Sequence, residues 1–217
     1  MGLAHPRLSG LYVILDSSAR RDRSLAEVMT AAVSGGARLF QYRNKGASMN
    51  EAYAEALLLR KLAAQLGVLF IVNDRCDLAL AVGADGVHLG QDDVPYTDAR
   101  KVMGPGNLVG LSTHNVDQVR EADRLKPDYI GFGPIFPPGS KPDHAPVVGL
   151  EGLRAVRSLT SLPIFAIGGI TLDQAKSVMQ AGANGVAVVS AVLNAPDVAK
   201  AVKDFIGRLG SLTQPGS

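Results

Sequence analysis

The sequence predicts an α/β fold, a single (β/α)8 TIM barrel, and three observations predict it. Eight short apolar runs alternate with helix-like segments along the 217 residues, with no linker between them. Polar side chains cluster where those runs stop, best seen in Leu69 to Asp93, LFIVNDRCDLALAVGADGVHLGQDD. Two runs there deliver Asn73, Asp74, Asp92 and Asp93 to one end of a sheet, the end where α/β folds bind ligands. Finally, the chain echoes itself. Gly36-Ala37-Arg38-Leu39, Gly83-Ala84-Asp85-Gly86, Pro127-Asp128-Tyr129-Ile130 and Gly182-Ala183-Asn184-Gly185 each close a helix just before a strand. Such spacing fits two βα units per repeat, hence four repeats and eight strands. A doubly wound open sheet is the rival, but no G-x-G-x-x-G follows the first strand.

In order, Leu11–Asp16 is the first strand, ending on an acid. Ser24 and Glu27 form a capping box for a helix to Ser34, and Ser48 with Glu51 opens a longer one to Leu66. Leu39–Arg43, Leu69–Val72 and Gly86–Leu89 are strands two to four, uncharged until their ends. Between the last two, Asp77–Val82 is a short helix. Helix Tyr96–Met103, strand Leu108–Ser112, helix Val116–Leu125 and strand Tyr129–Gly133 follow. After a long loop come helix Leu150–Leu159, strand Ile164–Ile167, a helix capped by Thr171 and Gln174, strand Val186–Val189 and helix Val198–Leu209. The ordered core is expected over about 9–210, with Met1–Leu8 and Ser211–Ser217 as frayed ends.

Composition narrows the class. A 47% hydrophobic content supplies one substantial core, and a net charge of +2 excludes a dedicated basic nucleic-acid binder. No apolar run approaches the ~20 residues of a membrane span, and Met1–Gly10 lacks a signal-peptide core. The one cysteine, Cys76, forbids an internal disulfide, fits a cytoplasmic location and reads as a packing residue. The assembly state stays open, a homo-oligomer included.

The remaining chemistry sits at the strand ends. Alternation along Gln41-Tyr42-Arg43-Asn44-Lys45 sends Gln41, Arg43 and Lys45 one way, two cations and an amide suited to phosphate or pyrophosphate. Ser112-Thr113-His114 ends the fifth strand, where His114 is a candidate acid or base, and also a plausible helix-opening residue. A proline-rich loop, Gly133 to Lys141, follows the sixth strand and carries a lysine able to fold over an anion. Gly168-Gly169 and Ser190 then precede helices in the last quarter, the usual place of a barrel phosphate site.

Together, Gln41-Tyr42-Arg43-x-Lys45, Val72-Asn73-Asp74, Gly83 to Gln91 with Asp93, Ser112-Thr113-His114, Gly131-x-Gly133-Pro134-Ile135-Phe136 and Ala166 to Ile170 resemble the thiamine-phosphate synthase family from Leu11 to about Val192. The resemblance implies a transferase that joins a pyrimidine methyl diphosphate to a thiazole ethyl phosphate and releases pyrophosphate, with Mg2+. It implies that Asp74 and Asp93 hold the metal. Gln41, Arg43, Lys45, Asn73, Ser112 and Lys141 would hold the pyrimidine and its diphosphate, with Arg43, Lys45, Ser112 and Lys141 acting in catalysis. Ser140, Gly169, Val189 and Ser190 would face the thiazole phosphate. Tyr42, Asn44, Pro138 and Gly139 fall within the same substrate-binding stretches.

Two positions depart from the family pattern. Asn44 stands where the family commonly has Glu, and Pro138 where it has Thr, so Pro138 offers neither hydroxyl nor N–H to a phosphate. Three other readings stay open. A thiazole tautomerase on the same barrel would not need the diphosphate-binding set, and a barrel for one sugar phosphate would not need two acids and three cations. A non-catalytic relative with a decayed site rests on Pro138 alone.

Overall fold

The computed structural model describes residues 8–19, 22–137 and 146–210. Eight parallel strands close into a barrel in sequence order: β1 (Gly10–Asp16), β2 (Leu39–Arg43), β3 (Leu69–Asn73), β4 (Gly86–Leu89), β5 (Leu108–Thr113), β6 (Tyr129–Phe132), β7 (Ile164–Ile167) and β8 (Gly185–Val188), with β8 pairing back to β1. Helices α1 (Leu25–Ser34), α2 (Met49–Leu66), α3 (Cys76–Val82), α4 (Tyr96–Met103), α5 (Val116–Leu125), α6 (Gly149–Arg157), α7 (Leu172–Gln180), α8 (Ser190–Leu193) and α9 (Val198–Gly210) surround it. Both expected capping boxes are formed, Ser24 with Glu27 and Ser48 with Glu51, and Thr171 with Gln174 makes a third.

Differences from the sequence reading are local. Strand β6 stops at Phe132, one residue short of the expected end, where Gly133 leads into the proline-rich loop. The turn of α8 uses Ser190 itself as its first residue. Leu8, expected to fray, is buried at 4% exposure among the side chains inside the barrel.

Alternation on the strands divides two cores. Outward residues such as Val13, Phe40, Phe70, Val87 and Ile130 pack under the helices, and Cys76 joins them as a buried side chain, which raises its thiol pKa by desolvation. Inward residues Tyr12, Ile14, Leu39, Leu69, Ile71, Leu108, Tyr129 and Phe165 fill the barrel.

The internal echo has a physical basis at the barrel's amino end. Asp85, Asp128 and Asn184 each precede a strand, and each accepts the backbone N–H of the strand before it, from Phe70, Val109 and Ile164 at 2.8, 2.7 and 2.9 Å. Each also meets an arginine from the preceding even-numbered helix, Arg60, Arg100 and Arg157 respectively. Arg38 occupies the equivalent place in the first repeat and bonds the Val33 and Ala37 carbonyls instead.

Candidate active site

The inward residues of the upper barrel open into a cavity of about 640 Å³ at the carboxyl ends of the strands. Period-two alternation on β2 explains its first wall. Gln41 and Arg43 point in, and Lys45 follows them just past the strand. Asn73 and Asp74 line it from the end of β3, His88 and Asp93 from β4 and its loop, Ser112 from β5, His114 from just after β5, and Val189 from just after β8.

Charge is organised in two pairs. The Arg43 guanidinium bonds Asp16, the acid that ends β1. Burial works against ionisation of Asp16, but hydrogen bonds from Ser18 and the Arg43 charge outweigh it and hold the carboxyl below its usual range. Arg43 is thereby fixed with one side toward the cavity. The second pair is Lys45 Nζ with Asp74 Oδ2 at 3.2 Å. Asp74 takes a left-handed backbone, φ 64°, while its N–H bonds the His88 carbonyl at 2.8 Å, and this turns the chain end of β3 across the mouth. Asp93 accepts the Gly90 N–H at 2.6 Å. Burial, together with the neighbouring Asp74 carboxylate, pushes the Asp93 carboxyl above its usual range. The two carboxyl groups therefore stand close enough for Asp74 to disfavour the charge of Asp93, an effect that a cation at this place relieves.

The floor is a line of hydrogen bonds. Gln41 Nε2 donates to Tyr12 Oη at 2.8 Å, and Tyr12 and Tyr129 hydroxyls meet at 2.9 Å. Tyr129 Oη lies 3.1 Å from His88 Nδ1, and His88 Nε2 lies 3.0 Å from Ser112 Oγ. Burial lowers the His88 pKa from 6.5 to about 4, so the ring is neutral at pH 7. Glycines make room for these rings: a Cβ on Gly110 would lie 2.2 Å from Tyr129, and one on Gly185 would lie 2.6 Å from Phe165.

Of the residues singled out in the sequence, Gln41, Arg43, Lys45, Asn73, Asp74, Asp93, Ser112 and Val189 line one cavity. Tyr42 and Asn44 do not. Strand alternation turns Tyr42 outward, and both side chains donate to Glu55 of α2, at 3.0 and 3.2 Å, behind the cavity wall. Gly169 and Ser190 stand beyond the cavity lining. Gly169 has φ 62°, and a Cβ there would lie 2.6 Å from the Pro137 carbonyl, so the loop after β6 rests on this turn. Pro138, Gly139, Ser140 and Lys141 lie outside the described residues. His114 lines the cavity, with Nδ1 2.7 Å from the Gly133 carbonyl. Sequence reasoning missed Tyr12, Tyr129 and Asp16 as cavity residues. An acid on the last position of a barrel strand was the available signal for Asp16. Mid-strand tyrosines read as ordinary core.

The comparisons with known proteins agree with this geometry. A family model described as thiamine monophosphate synthase matches residues 11–192. The chain is 50% identical over 214 residues to a thiamine-phosphate synthase of Chloroflexus aurantiacus, covering 99% of this chain and 98% of that one. It is 45% identical over 193 residues to a thiamine-phosphate synthase of Moorella thermoacetica, covering 89% and 92%. Among solved structures it superposes on thiamine phosphate pyrophosphorylase from Pyrococcus furiosus with a TM-score of 0.87 and 37% identity, over 96% of this chain and 98% of that one. The chain belongs to the thiamine monophosphate synthase family.

Proposed function

We propose that this chain is a transferase that joins a pyrimidine methyl diphosphate to a thiazole ethyl phosphate, giving thiamine phosphate and pyrophosphate, with Mg2+ at Asp74 and Asp93. The observation that carries the reading is the convergence of those two carboxylates with Arg43 and Lys45 at the mouth of one cavity. Family membership and the names of the relatives support the same reaction. A tautomerase acting on a thiazole alone would leave two acids and two cations without work.

The residues fit a hard divalent ion. Their donors are oxygens only, and the Asp74 carboxylate disfavours the charge of Asp93 beside it, which a cation there would offset. When bound, magnesium would neutralise charge on a diphosphate. The rest of the chemistry belongs to the chain. Arg43, held by Asp16, offers a fixed guanidinium to the diphosphate, and Lys45, with 62% of its side chain exposed, has the freedom to follow the leaving group. Lys141 would add a third cation from the loop after β6. The carbon–oxygen bond breaks with its electron pair leaving on pyrophosphate, and the pyrimidine stabilises the cation that remains. The thiazole nitrogen then donates its lone pair to that carbon. This route needs no nucleophilic side chain, and its requirement is charge preorganised around the departing group. Gln41 and Ser112 take the pyrimidine, while Gly169, Val189, Ser190 and Ser140 take the thiazole phosphate.

Purified protein supplied with both substrates and magnesium tests the proposal. Thiamine phosphate formed only when both substrates are present supports it. Conversion of the thiazole without joining supports the tautomerase, and no conversion of either substrate supports a decayed relative.

A further inference from the structure

We propose that Tyr12, Tyr129 and His88 are positioning residues: they form a one-way hydrogen-bond relay under the cavity that sets how the Gln41 amide and the Ser112 hydroxyl face the substrate.

The direction follows from the placement of the Gln41 amide, whose Nε2 faces Tyr12, and from counting donors and acceptors beyond it. Tyr12 and Tyr129 are fully buried, 2% and 0% exposed. Tyr12 Oη accepts from Gln41 Nε2 and has one other partner, Tyr129. A buried hydroxyl proton left without an acceptor is costly, so Tyr12 donates to Tyr129. Tyr129 has accepted and has one further partner, so its proton goes to His88 Nδ1. His88 is then protonated on Nε2 and donates to Ser112 Oγ. Ser112, having accepted, turns its own proton toward the cavity it lines.

The same placement of the amide sets the other end. Among the described residues, no buried side-chain nitrogen or oxygen lacks a hydrogen-bond partner. Gln41 Oε1 enters no bond, so it faces the cavity that Gln41 lines. The relay thus presents an acceptor at Gln41 and a donor at Ser112. A heterocycle carrying an amino group beside a ring nitrogen offers the complementary pair. This choice of substrate rests on the function proposed above; the relay itself does not.

Five strands contribute, since Tyr12, Gln41, His88, Ser112 and Tyr129 come from β1, β2, β4, β5 and β6. Reversing any one bond forces all the others to reverse, so the polarity is all or none. The ring packing resists movement. Tyr129 stacks on His88 at 5.4 Å and makes edge contacts with Tyr12 and Phe165 at 5.9 and 5.5 Å.

The test is the His88 tautomer by nitrogen-15 NMR of histidine-labelled protein. Its signal is assigned by removing His5, His114 and His144 singly with glutamine. The unaltered protein should show hydrogen on Nε2. Tyr129→Phe removes the donor to Nδ1, so the tautomers should mix and the KM for the pyrimidine diphosphate should rise about tenfold. Tyr12→Phe should leave the tautomer in place, because Tyr129 still has His88 as its acceptor, yet raise the same KM by freeing Gln41. Neither change should move the KM for the thiazole phosphate. Hydrogen on Nδ1 in the unaltered protein overturns the relay, as does a folded Tyr129→Phe with unchanged tautomer and KM. The tautomer of the unaltered protein needs neither variant nor substrate, so inactivity with both substrates would overturn the proposed function alone.

Discussion

Gly110→Ala places one methyl group where the floor has no space. The added carbon would stand 2.2 Å from Tyr129 Cζ and 2.6 Å from His88 Nδ1, whereas carbon contacts settle near ~3.5–4.0 Å. Tyr129 must retreat by more than about 1 Å, but Tyr12 and Phe165 hold it on other sides. Overpacking of this kind costs about 1–3 kcal/mol, and a hydroxyl displaced from Tyr12 or His88 adds roughly 1 kcal/mol. The expected loss is about 3 kcal/mol, or roughly 6–12 °C in Tm for a chain of this length. Urea unfolding measures it directly, with Gly106→Ala as the control. Gly106 has open space for a Cβ, so that variant should stay within ~0.5 kcal/mol of the parent. Under 1 kcal/mol lost in Gly110→Ala would refute the packing argument.

Burial of His88 also makes stability depend on pH. The unfolded chain takes up its proton near pH 6.5 and the native ring only near pH 4, so this contribution is complete above 6.5 and lost as pH falls between those values. The loss amounts to about 3 kcal/mol and should shrink in His88→Gln; an equal loss in that variant contradicts the assignment. For Asp16 the lowered native pKa gives stability present above the ordinary carboxylate range and lost as pH falls through the native value. Asp16→Asn should therefore flatten the acid limb of the unfolding curve and, by releasing Arg43, raise the KM for the pyrimidine diphosphate roughly tenfold. An unchanged KM would mean that Arg43 holds its place without Asp16.

What could be read from the sequence tracks the range of the forces involved. Strand alternation is local, so Gln41, Arg43 and Lys45 were assignable to one wall, and the same rule shows why Tyr42 faces outward. Capping boxes span three residues and were equally plain at Ser24 and Ser48. The relay was hidden because its partners meet only after the barrel closes: Tyr12 and Tyr129 are 117 residues apart, and His88 and Tyr129 are 41 apart. Asp16 was visible as an acid ending β1, but its partner Arg43 lies on the neighbouring strand, 27 residues on. Leu8 looked like a terminal residue because nothing near it in sequence reveals the barrel interior that receives it.

The proposed reaction requires Asp74 and Asp93 to hold the cation that neutralises the departing diphosphate. Its most direct test is the magnesium dependence of turnover in Asp93→Asn beside the parent. The variant should fold and need at least about tenfold more magnesium for half-maximal rate, since one charged ligand of two is lost. An unchanged magnesium requirement at full turnover would contradict it.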